Sequence, residues 1–407
     1  MRCARVLGLA AVAALALTAC TSAAGSDRPT WQASPAQVGG GEGGRGGVTP
    51  ILPVPSPTTD PRNPSGGSDT PASPSPSNSS KIDPLVVATR LNAPVGLTLL
   101  PDGTALVGER RTGRIVRVQP VAGRPVPTVR TLPGLDASGD GGLLDLALSP
   151  SYSEDNLIYA YLTTRTDNRV VDFTLTGPVT PVLTGIPKGR TGNSGRIAFG
   201  ADGNLSVGTG DAGRPSLAAS ETSLAGKVLR VNPIGDPAQG DPTPGSPVWA
   251  RGFREVDGLC SSTPTGTPIE TETGAAGTPD EVNVVIGGED YGYPGAAPSA
   301  HRPATTMPSA YRAPGGCAVL GGQLWVTSLD GRALLAAPLS GRGPAVTVGR
   351  FTPALTKRYG RLRTVVAAPD GALWLTTSNR DGKGQPVTAD ERVIRFVPAG
   401  DAGSSPV

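Results

Sequence analysis

The strongest constraint on the fold is a repeat: short runs of alternating apolar residues recur about every fifty residues through most of the chain. One strand position per repeat can be followed at intervals of 52, 48, 119 and 49 residues, in the order Val107, Tyr159, Val207, Val326 and Leu375. The interval of 119 leaves room for one further repeat without a clear marker, which makes six. Four short strands and their turns fill about fifty residues, the size of one propeller blade. The repeat therefore predicts an all-β, six-bladed β-propeller over residues 83–400.

Turn residues between the apolar runs support the same fold. Three repeats contain Asp-Gly between two such runs, at Asp102–Gly103, Asp202–Gly203 and Asp370–Gly371. Asp-Gly favours a tight hairpin, because both residue types tolerate the positive φ that the turn requires. The 57 glycines and 43 prolines exclude a long helical bundle. A pair of β-sandwiches is the alternative, but sandwiches lack a fifty-residue period.

The first twenty residues have the pattern of an export signal. Two arginines precede an apolar run, Val6–Leu17, which is too short to span a bilayer and has the length of a signal-peptide core. The run ends at Leu17-Thr18-Ala19-Cys20, which resembles the lipobox of bacterial lipoproteins. That resemblance implies a signal peptide over residues 1–19, lipidation of the Cys20 thiol and attachment to the outer face of the cell membrane. Ordinary secretion with an incidental cysteine is the alternative.

Residues 20–82 have the composition of a flexible linker. From Thr21 to Ser80, 38 of 60 residues are Gly, Pro, Ser or Thr, and Trp31 is the only aromatic residue. Such a segment cannot bury enough apolar surface to offset the entropy lost on ordering. We therefore expect a disordered tether that holds the propeller away from the membrane. The net charge of +3, without a basic stripe, gives no indication of nucleic acid binding.

Seven phrases, in order along the predicted propeller, resemble the soluble glucose/sorbosone dehydrogenase family. These phrases are Gly108–Ile115, Gly141–Leu148, Gly208–Asp211, Leu224–Arg230, Asp280–Asn283, Asp290–Pro294 and Arg361–Arg363. The resemblance implies a six-bladed propeller that binds pyrroloquinoline quinone and calcium. It also implies oxidation of an aldose, in which a histidine accepts the proton of the anomeric hydroxyl while hydride passes to the quinone.

The residue that matches the family's histidine is a glycine. The matching stretch is Gly192–Ile197, with Gly192 at the position of the base. Loss of a positioned base lowers a rate by roughly 100- to 10,000-fold. The only histidine, His301, lies in a loop rich in Pro and Ala and has no match in the family's motifs. We expect it to be an exposed loop residue, with a role as substitute base as the alternative.

The predicted quinone site combines three arginines with two additional acids. The resemblance assigns the cofactor's carboxylates to Arg254, Arg361 and Arg363, since guanidinium groups bind carboxylates with two parallel hydrogen bonds. Asp140 and Glu255 stand where the family has amides, and they add negative charge beside a tricarboxylate cofactor. The alternative is that the arginines pair with these acids. Quinone binding is therefore the weaker of the two cofactor expectations.

Calcium is the cofactor that the sequence favours. Glu272–Glu281 resembles the family's metal loop and assigns the ion to Gly274, Ala275, Asp280 and Glu281. Calcium takes six to eight oxygen ligands, which a glycine-rich turn with adjacent carboxylates can offer. Solvated turn acids are the alternative.

Two cysteines remain in the propeller, Cys260 and Cys317. An even pair in an oxidising compartment predicts a disulfide, with free buried thiols as the alternative. It would join the fourth repeat to the fifth.

Three functions follow from these residues. The missing histidine and the two added acids favour an envelope lipoprotein that binds a sugar, a glycan or a protein at a degraded quinone site. The first alternative is a quinone- and calcium-dependent aldose dehydrogenase with an unconventional base. The second is a structural envelope protein that docks onto other proteins through its propeller.

Overall fold

Six antiparallel sheets form the part of the chain that the computed structural model describes, which comprises residues 83–262, 266–295 and 297–399. The predicted signal peptide, the lipidation site at Cys20 and the linker lie outside these residues. The predicted six-bladed propeller is confirmed, and the unmarked repeat is the fourth blade. No helix in the described ranges is long and apolar enough to cross a membrane.

The blades follow one another along the chain. Each strand of a blade pairs with the next, except that the last strand of blade five pairs with the third strand of that blade. Blade one contains β2 (Pro94–Leu99), β3 (Ala105–Glu109), β4 (Arg114–Val118) and β5 (Thr128–Thr131). Blade two contains β6 (Leu143–Leu148), β7 (Ile158–Thr163), β8 (Asn168–Phe173) and β9 (Val179–Ile186). Blade three contains β10 (Arg196–Phe199), β11 (Leu205–Gly208), β12 (Lys227–Val231) and β13 (Val248–Arg251). Blade four contains β14 (Val256–Ser261), β15 (Pro268–Glu272), β16 (Glu281–Val284) and β17 (Thr305–Thr306). Blade five contains β18 (Pro314–Leu320), β19 (Gln323–Ser328), β20 (Ala333–Ser340), β21 (Thr347–Val348) and β22 (Thr352–Thr356).

The two ends of the described chain close the ring in blade six. This blade has the order β1 (Val86–Ala88), β25 (Val393–Phe396), β24 (Leu373–Thr377) and β23 (Leu362–Ala367). The first strand of each blade contacts the first strand of the next, from β2 around to β23 and back to β2. These six strands therefore surround the central channel.

Helical structure is confined to short connections among the described residues. They are α1 (Tyr152–Asp155), α2 (Ser216–Ala219) and a 3₁₀ turn (Gly343–Ala345). The apolar core is divided into six clusters, and each lies between two neighbouring blades, including the closing pair, six and one. A blade therefore buries both of its faces only when the ring is complete.

The three predicted Asp-Gly turns join the first and second strands of blades one, three and six. Gly103, Gly203 and Gly371 all have φ between 76° and 80°. In each turn the aspartate also pairs with an arginine on the third strand of the same blade: Asp102 with Arg117, Asp202 with Arg230 and Asp370 with Arg395. The turn residue thus also ties three strands of the blade together.

The predicted disulfide is confirmed. Cys260 lies on β14 and Cys317 on β18, with their Cα atoms 5.7 Å apart. The bond joins the first strands of blades four and five, as expected from the sequence.

We expect the double substitution Cys260→Ser with Cys317→Ser to lower the free energy of unfolding by about 4 kcal/mol, since the bond closes a loop of 57 residues. Chemical denaturation of the oxidised and substituted proteins measures the difference. Wild-type protein treated with a reductant is the matched control and should show the same loss. Equal stability of all three samples would show that the bond contributes nothing.

Candidate active site

One cavity of about 1110 Å³ is lined by residues from all six blades. Its walls are loops that precede the first strand of a blade or follow the second, such as Asp140 before β6 and Asp211 after β11. Only the central channel meets all six blades, so the cavity is the mouth of that channel. It is large enough for a cofactor and a small substrate together.

The cavity wall carries many charged side chains. Its cationic residues are Arg90, Arg110, Arg111, Arg254, Arg361, Arg363, Arg380 and Lys383, and its acids are Asp140, Asp211, Glu255, Asp257, Asp381, Asp390 and Glu391. Among these cations, Arg361 alone forms an ion pair with a described residue. The charges of the other seven are thus not neutralised by an ion pair with a described residue and favour an anion in the cavity, although Arg110, Arg254 and Arg380 also donate to backbone carbonyls.

Arg363 has the environment of an anion-binding residue. Its Nε is fully buried and has no hydrogen-bond partner among the described residues. Burial and the nearby Arg196 guanidinium lower the pKa of Arg363, while Asp257 opposes that change. A buried guanidinium beside a second cation is stabilised by a negative ligand. Arg363 lines the cavity, and its assignment to a cofactor carboxylate stays a prediction.

Arg361 is already neutralised. Its Nη1 donates to Asp330 at 2.6 Å and its Nε donates to Asp381 at 2.7 Å. The arginine–acid pairing considered from the sequence therefore occurs at Arg361. Its partners come from the loops after β19 and β24, and they are not the expected Asp140 or Glu255.

Arg254 reaches the loop that was predicted to bind calcium. Its Nη1 donates to the carbonyl oxygens of Thr273, at 3.1 Å, and Gly274, at 2.8 Å. Its backbone N–H donates to Glu272 Oε2 at 2.8 Å, and its carbonyl accepts the N–H of Asp211 at 2.9 Å. The backbone and the guanidinium of Arg254 are therefore both held by hydrogen bonds to neighbouring segments of the chain.

The remaining oxygens of the predicted metal loop are also engaged. The Ala275 carbonyl accepts the N–H and the hydroxyl of Thr278, both at 3.0 Å. Asp280 is buried and accepts the N–H groups of Gly274, at 3.0 Å, and Ala313, at 2.8 Å. Glu281 lies on β16, and burial raises its pKa. No group of three metal-binding side chains occurs within the described ranges. The predicted calcium ligands include the backbone carbonyls of Gly274 and Ala275, and calcium binding at this loop stays a prediction.

The position of the family's base has no room for a side chain. Gly192 has φ of +70°, and a Cβ there would lie 2.4 Å from Asp211 Oδ1. Asp140 accepts the N–H of Gly192 at 2.7 Å and also bonds the Asn193 amide, so its carboxylate holds this loop. Asp140 lines the cavity as expected, and these two neutral donors stabilise its ionised carboxylate without removing the negative charge.

His301 lies away from the cavity wall. Its ring is 5.1 Å from that of Tyr291, and its Nδ1 is 3.6 Å from Glu289. It is half-buried, with a third of its side chain exposed. The expectation of an exposed loop histidine is therefore met only in part, since His301 lies in a loop but is half-buried against Tyr291. Because it does not line the cavity, it is not placed to serve as a base there.

Glu255 differs from the other six acids on the wall. Each of those six accepts at least one hydrogen bond, for example Asp257 from Thr273, at 2.8 Å, and Asp211 from the Tyr293 hydroxyl, at 2.9 Å. The Glu255 carboxylate accepts none from the residues that the structure describes, and it forms no ion pair with them. It is the free carboxylate of the cavity.

The electrostatic environment of Glu255 favours proton exchange near neutral pH. Burial, with a contribution from Asp257, raises the pKa of Glu255 to about 7, and Arg254 opposes the change. Burial likewise raises the pKa of Glu272 to about 8. A carboxyl group with a pKa near the working pH is suited to general acid–base chemistry.

Several residues of the site were not anticipated from the sequence. Asp257 lies on β14, and Asp330 and Asp381 neutralise Arg361. Arg110 was present in a family phrase but was given no role, and its Nη1 bonds the carbonyl of Gly141 at 2.7 Å. The sequence signal that could have drawn attention to Asp330 and Asp381 is that each follows the second strand of a blade. This position does not specify which residue the acid pairs with.

The Glucose / Sorbosone dehydrogenase family matches residues 91–388, which is well over half of the chain. The chain belongs to this family. The family resemblance predicted from the sequence is thereby confirmed.

Individual relatives agree with this assignment. The PQQ-bound aldose sugar dehydrogenase of Streptomyces coelicolor is 40% identical, with a TM-score of 0.71 over 77% of this chain and 96% of that one. A putative glucose dehydrogenase of Thermus thermophilus is 38% identical, with a TM-score of 0.71 over 77% and 98%. Quinoprotein glucose dehydrogenase B of Acinetobacter calcoaceticus is 31% identical over 261 residues, or 54% of each chain. The chain spans about half to three-fifths of the length of the curated relatives it matches.

We expect the protein to lose stability as the pH rises from about 5 to 8. The folded-state pKa values of Glu255 and Glu272 lie above the unfolded value of 4.5, so folding favours their protonated forms. That stabilisation is complete below pH 4.5 and is lost as each group ionises. Thermal unfolding across this range measures the effect.

Glu272→Gln should flatten this pH dependence, because it removes one titrating group and keeps an oxygen for the Arg254 N–H. Glu221→Gln is the matched control, since Glu221 is exposed and pairs with Arg251 on the surface. A melting temperature that rises between pH 5 and 8 would contradict the assignment of raised pKa values.

Proposed function

We propose that the protein oxidises the anomeric carbon of an aldose, with pyrroloquinoline quinone as the electron acceptor and Glu255 as the general base. Support for the reaction class comes from the family and from the Streptomyces coelicolor relative, which is a PQQ-bound aldose sugar dehydrogenase. Support for the base comes from one observation: Glu255 is the cavity acid whose carboxylate accepts no hydrogen bond from the described residues.

The residues of the cavity fit a quinone that carries three carboxylates. Arg363 presents a buried Nε without a partner, and most of the cationic side chains on the wall are outside ion pairs with the described residues. Arg363, Arg254 and Arg110 would hold the carboxylates through charge-assisted hydrogen bonds. When bound, the quinone supplies an acceptor for the hydride of the sugar's anomeric carbon.

Glu255 would take the proton of the anomeric hydroxyl. Its pKa of about 7 lets the ionised form exist at neutral pH and still bind a proton usefully. The other acids of the wall are less suited, because a carboxylate that already accepts hydrogen bonds is a weaker base. Arg254, adjacent in sequence, compensates the negative charge of the ionised form.

This proposal replaces the interpretation as a non-catalytic binding module. That interpretation depended on the absence of a base at Gly192 and on the negative charge of Asp140 and Glu255. The Asp140 carboxylate is held by the N–H of Gly192 and the amide of Asn193, and the Arg110 guanidinium near it offsets its negative charge. Glu255 offers a base at another place in the same cavity.

We expect Glu255→Gln to bind pyrroloquinoline quinone with nearly wild-type affinity and to lose roughly 100- to 10,000-fold in aldose-dependent dye reduction. The amide keeps the shape of the side chain but cannot accept the proton. The wild-type rate should rise with pH through about 7, and the variant should lose that rise. Quinone binding is measured by fluorescence and the rate by reduction of an electron-accepting dye.

Glu221→Gln is the matched control for this assay, because Glu221 is an exposed glutamate that does not line the cavity. Wild-type protein that neither binds the quinone nor reduces the dye would overturn the proposed reaction. Full activity of Glu255→Gln would overturn only the assignment of the base.

We also propose that a lipid on Cys20 attaches the protein to the outer face of the cell membrane. The proposal is based on the apolar run Val6–Leu17 and the lipobox-like sequence that ends at Cys20. We expect Cys20→Ser to move the full-length protein from the membrane fraction to the soluble extracellular fraction. Immunoblots of fractionated cells measure the distribution. Retention of Cys20→Ser in the membrane fraction would contradict lipid anchoring.

A further inference from the structure

The charges on the cavity wall are divided unequally between its two sides. Blades six and one carry seven of the eight cations and three of the seven acids. Blades two to four carry one cation, Arg254, and four acids, which are Asp140, Asp211, Glu255 and Asp257. In a ring of six blades, blades six and one lie across the channel from blades three and four. One side of the wall is therefore mainly positive, and the side that holds Glu255 is mainly negative.

The three acids on the positive side already have partners. Asp381 accepts a hydrogen bond from Arg361 Nε at 2.7 Å. Asp390 accepts one from Arg392 Nε, also at 2.7 Å, and Glu391 accepts one from a threonine hydroxyl of β24 at 2.6 Å. Two of the three negative charges are thus compensated by these arginines, which leaves the other cations of this side in excess.

Four cations of this side remain when the quinone is taken into account. Arg363 and Arg110, with Arg254 from across the channel, are assigned to its three carboxylates under the proposed function. The remaining cations all have exposed side chains, and none forms an ion pair with a described residue. We call them the blade six–one rim, and they are Arg90, Arg111, Arg380 and Lys383. The rim carries positive charge that neither the described chain nor the cofactor neutralises.

The rim is one continuous arc of the cavity mouth. The Arg90 N–H donates to the Ala389 carbonyl at 3.0 Å, which joins the segment before β2 to the connection between β24 and β25. Arg380 and Lys383 lie in that same connection. The loop after β3, which contains Arg111, bonds the segment before β2 at 3.0 Å. The four cations therefore act on the same part of the cavity, and their potentials add there.

We propose that the substrate is an aldose that carries an anionic group, a carboxylate or a phosphate, and that the blade six–one rim binds this group. The inference rests on the proposed oxidation and names its substrate class. The substrate would lose a hydride from its anomeric carbon to the quinone and the proton of its anomeric hydroxyl to Glu255, and would become a lactone. The anionic group takes no part in these transfers and serves for binding alone.

The two sides of the wall would also orient such a sugar. Guanidinium and ammonium groups bind carboxylate and phosphate oxygens through charge-assisted hydrogen bonds, which favours the anionic group at the rim. The acids beside Glu255 repel the same group. The anomeric hydroxyl, which is neutral, is the part of the sugar that can approach Glu255 without this cost. A neutral aldose gains none of this orientation, because the rim offers its charge only to an anion.

The test compares one neutral and two anionic aldoses on the full-length protein loaded with quinone. The kcat and KM values for glucose, glucose 6-phosphate and glucuronate are measured with the same electron-accepting dye. We expect kcat/KM for at least one anionic sugar to exceed that for glucose by about tenfold, mainly through a lower KM. The advantage should shrink as the salt concentration rises, because salt screens exposed charges. The better of the two anionic sugars shows whether the rim prefers a phosphate or a carboxylate.

The double substitution Arg111→Gln with Lys383→Gln should remove this advantage, because it halves the charge of the rim. Neither side chain forms a hydrogen bond with another described residue, so the change leaves the packing intact. Arg111→Lys with Lys383→Arg keeps both charges and should keep the advantage. Arg124→Gln with Arg342→Gln is the matched control, since it removes two exposed cations that do not line the cavity.

Equal kcat/KM values for the three sugars in the wild type would overturn the substrate class and leave the proposed reaction standing. An advantage that survives Arg111→Gln with Lys383→Gln would overturn the role of the rim. If no sugar is oxidised, the proposed reaction fails, and calorimetric titration of the three sugars decides the binding question without turnover. Anionic sugars that bind no more tightly than glucose, or equally to the wild type and this variant, would then overturn the rim as an anion site.

Discussion

In a closed ring of blades, the polar side chains near the centre must find their hydrogen-bond partners within the ring itself. Each apolar cluster lies between two blades, and the first strands of all six blades meet around one channel. Polar side chains there are cut off from most of the solvent and need partners. Lys227, on the third strand of blade three, shows how a buried charge is satisfied elsewhere in the ring: its Nζ donates to the carbonyls of Leu217, Ala218 and Ala225. In the cavity, partners among the described residues are missing at Arg363 Nε and at the Glu255 carboxylate, and buried atoms outside the cavity, such as Arg130 Nε and Glu270 Oε2, also lack them.

The fold was predicted correctly from patterns among residues that are close together in the sequence. The fifty-residue period follows from the length of four strands, and Asp102–Gly103 specifies a hairpin through the positive φ of Gly103. The disulfide followed from the number of cysteines and the compartment. The partners of site residues depend on contacts between distant blades. Arg361 pairs with Asp330, which is 31 residues away in blade five, and nothing in either local sequence specifies that pair.

The same limit explains why the family's motifs located the cavity but misjudged the state of its residues. Asp140 was correctly placed on the wall, but its hydrogen bond to the Gly192 N–H, 52 residues away, was invisible in the sequence. Gly192 itself was recognised as the missing base. The reason that no side chain fits there is Asp211, whose Oδ1 occupies the space of a Cβ. Asp211 in turn accepts the Tyr293 hydroxyl from blade four.

The residues around Gly192 and Glu255, two of the positions that differ from the family pattern, form one connected arrangement. Asp211 fills the space beside Gly192 and accepts the Tyr293 hydroxyl, and its N–H bonds the carbonyl of Arg254. Arg254 then reaches the carbonyls of the predicted metal loop and leaves Glu255 beside it with a free carboxylate. The proposed role of Glu255 depends on this arrangement. Burial and the Asp257 carboxylate raise the pKa of Glu255 to about 7, and the adjacent Arg254 guanidinium opposes that change only in part. A carboxylate with this balance of burial and charge can still accept a proton at neutral pH, which a fully ion-paired acid of the same wall could do less well.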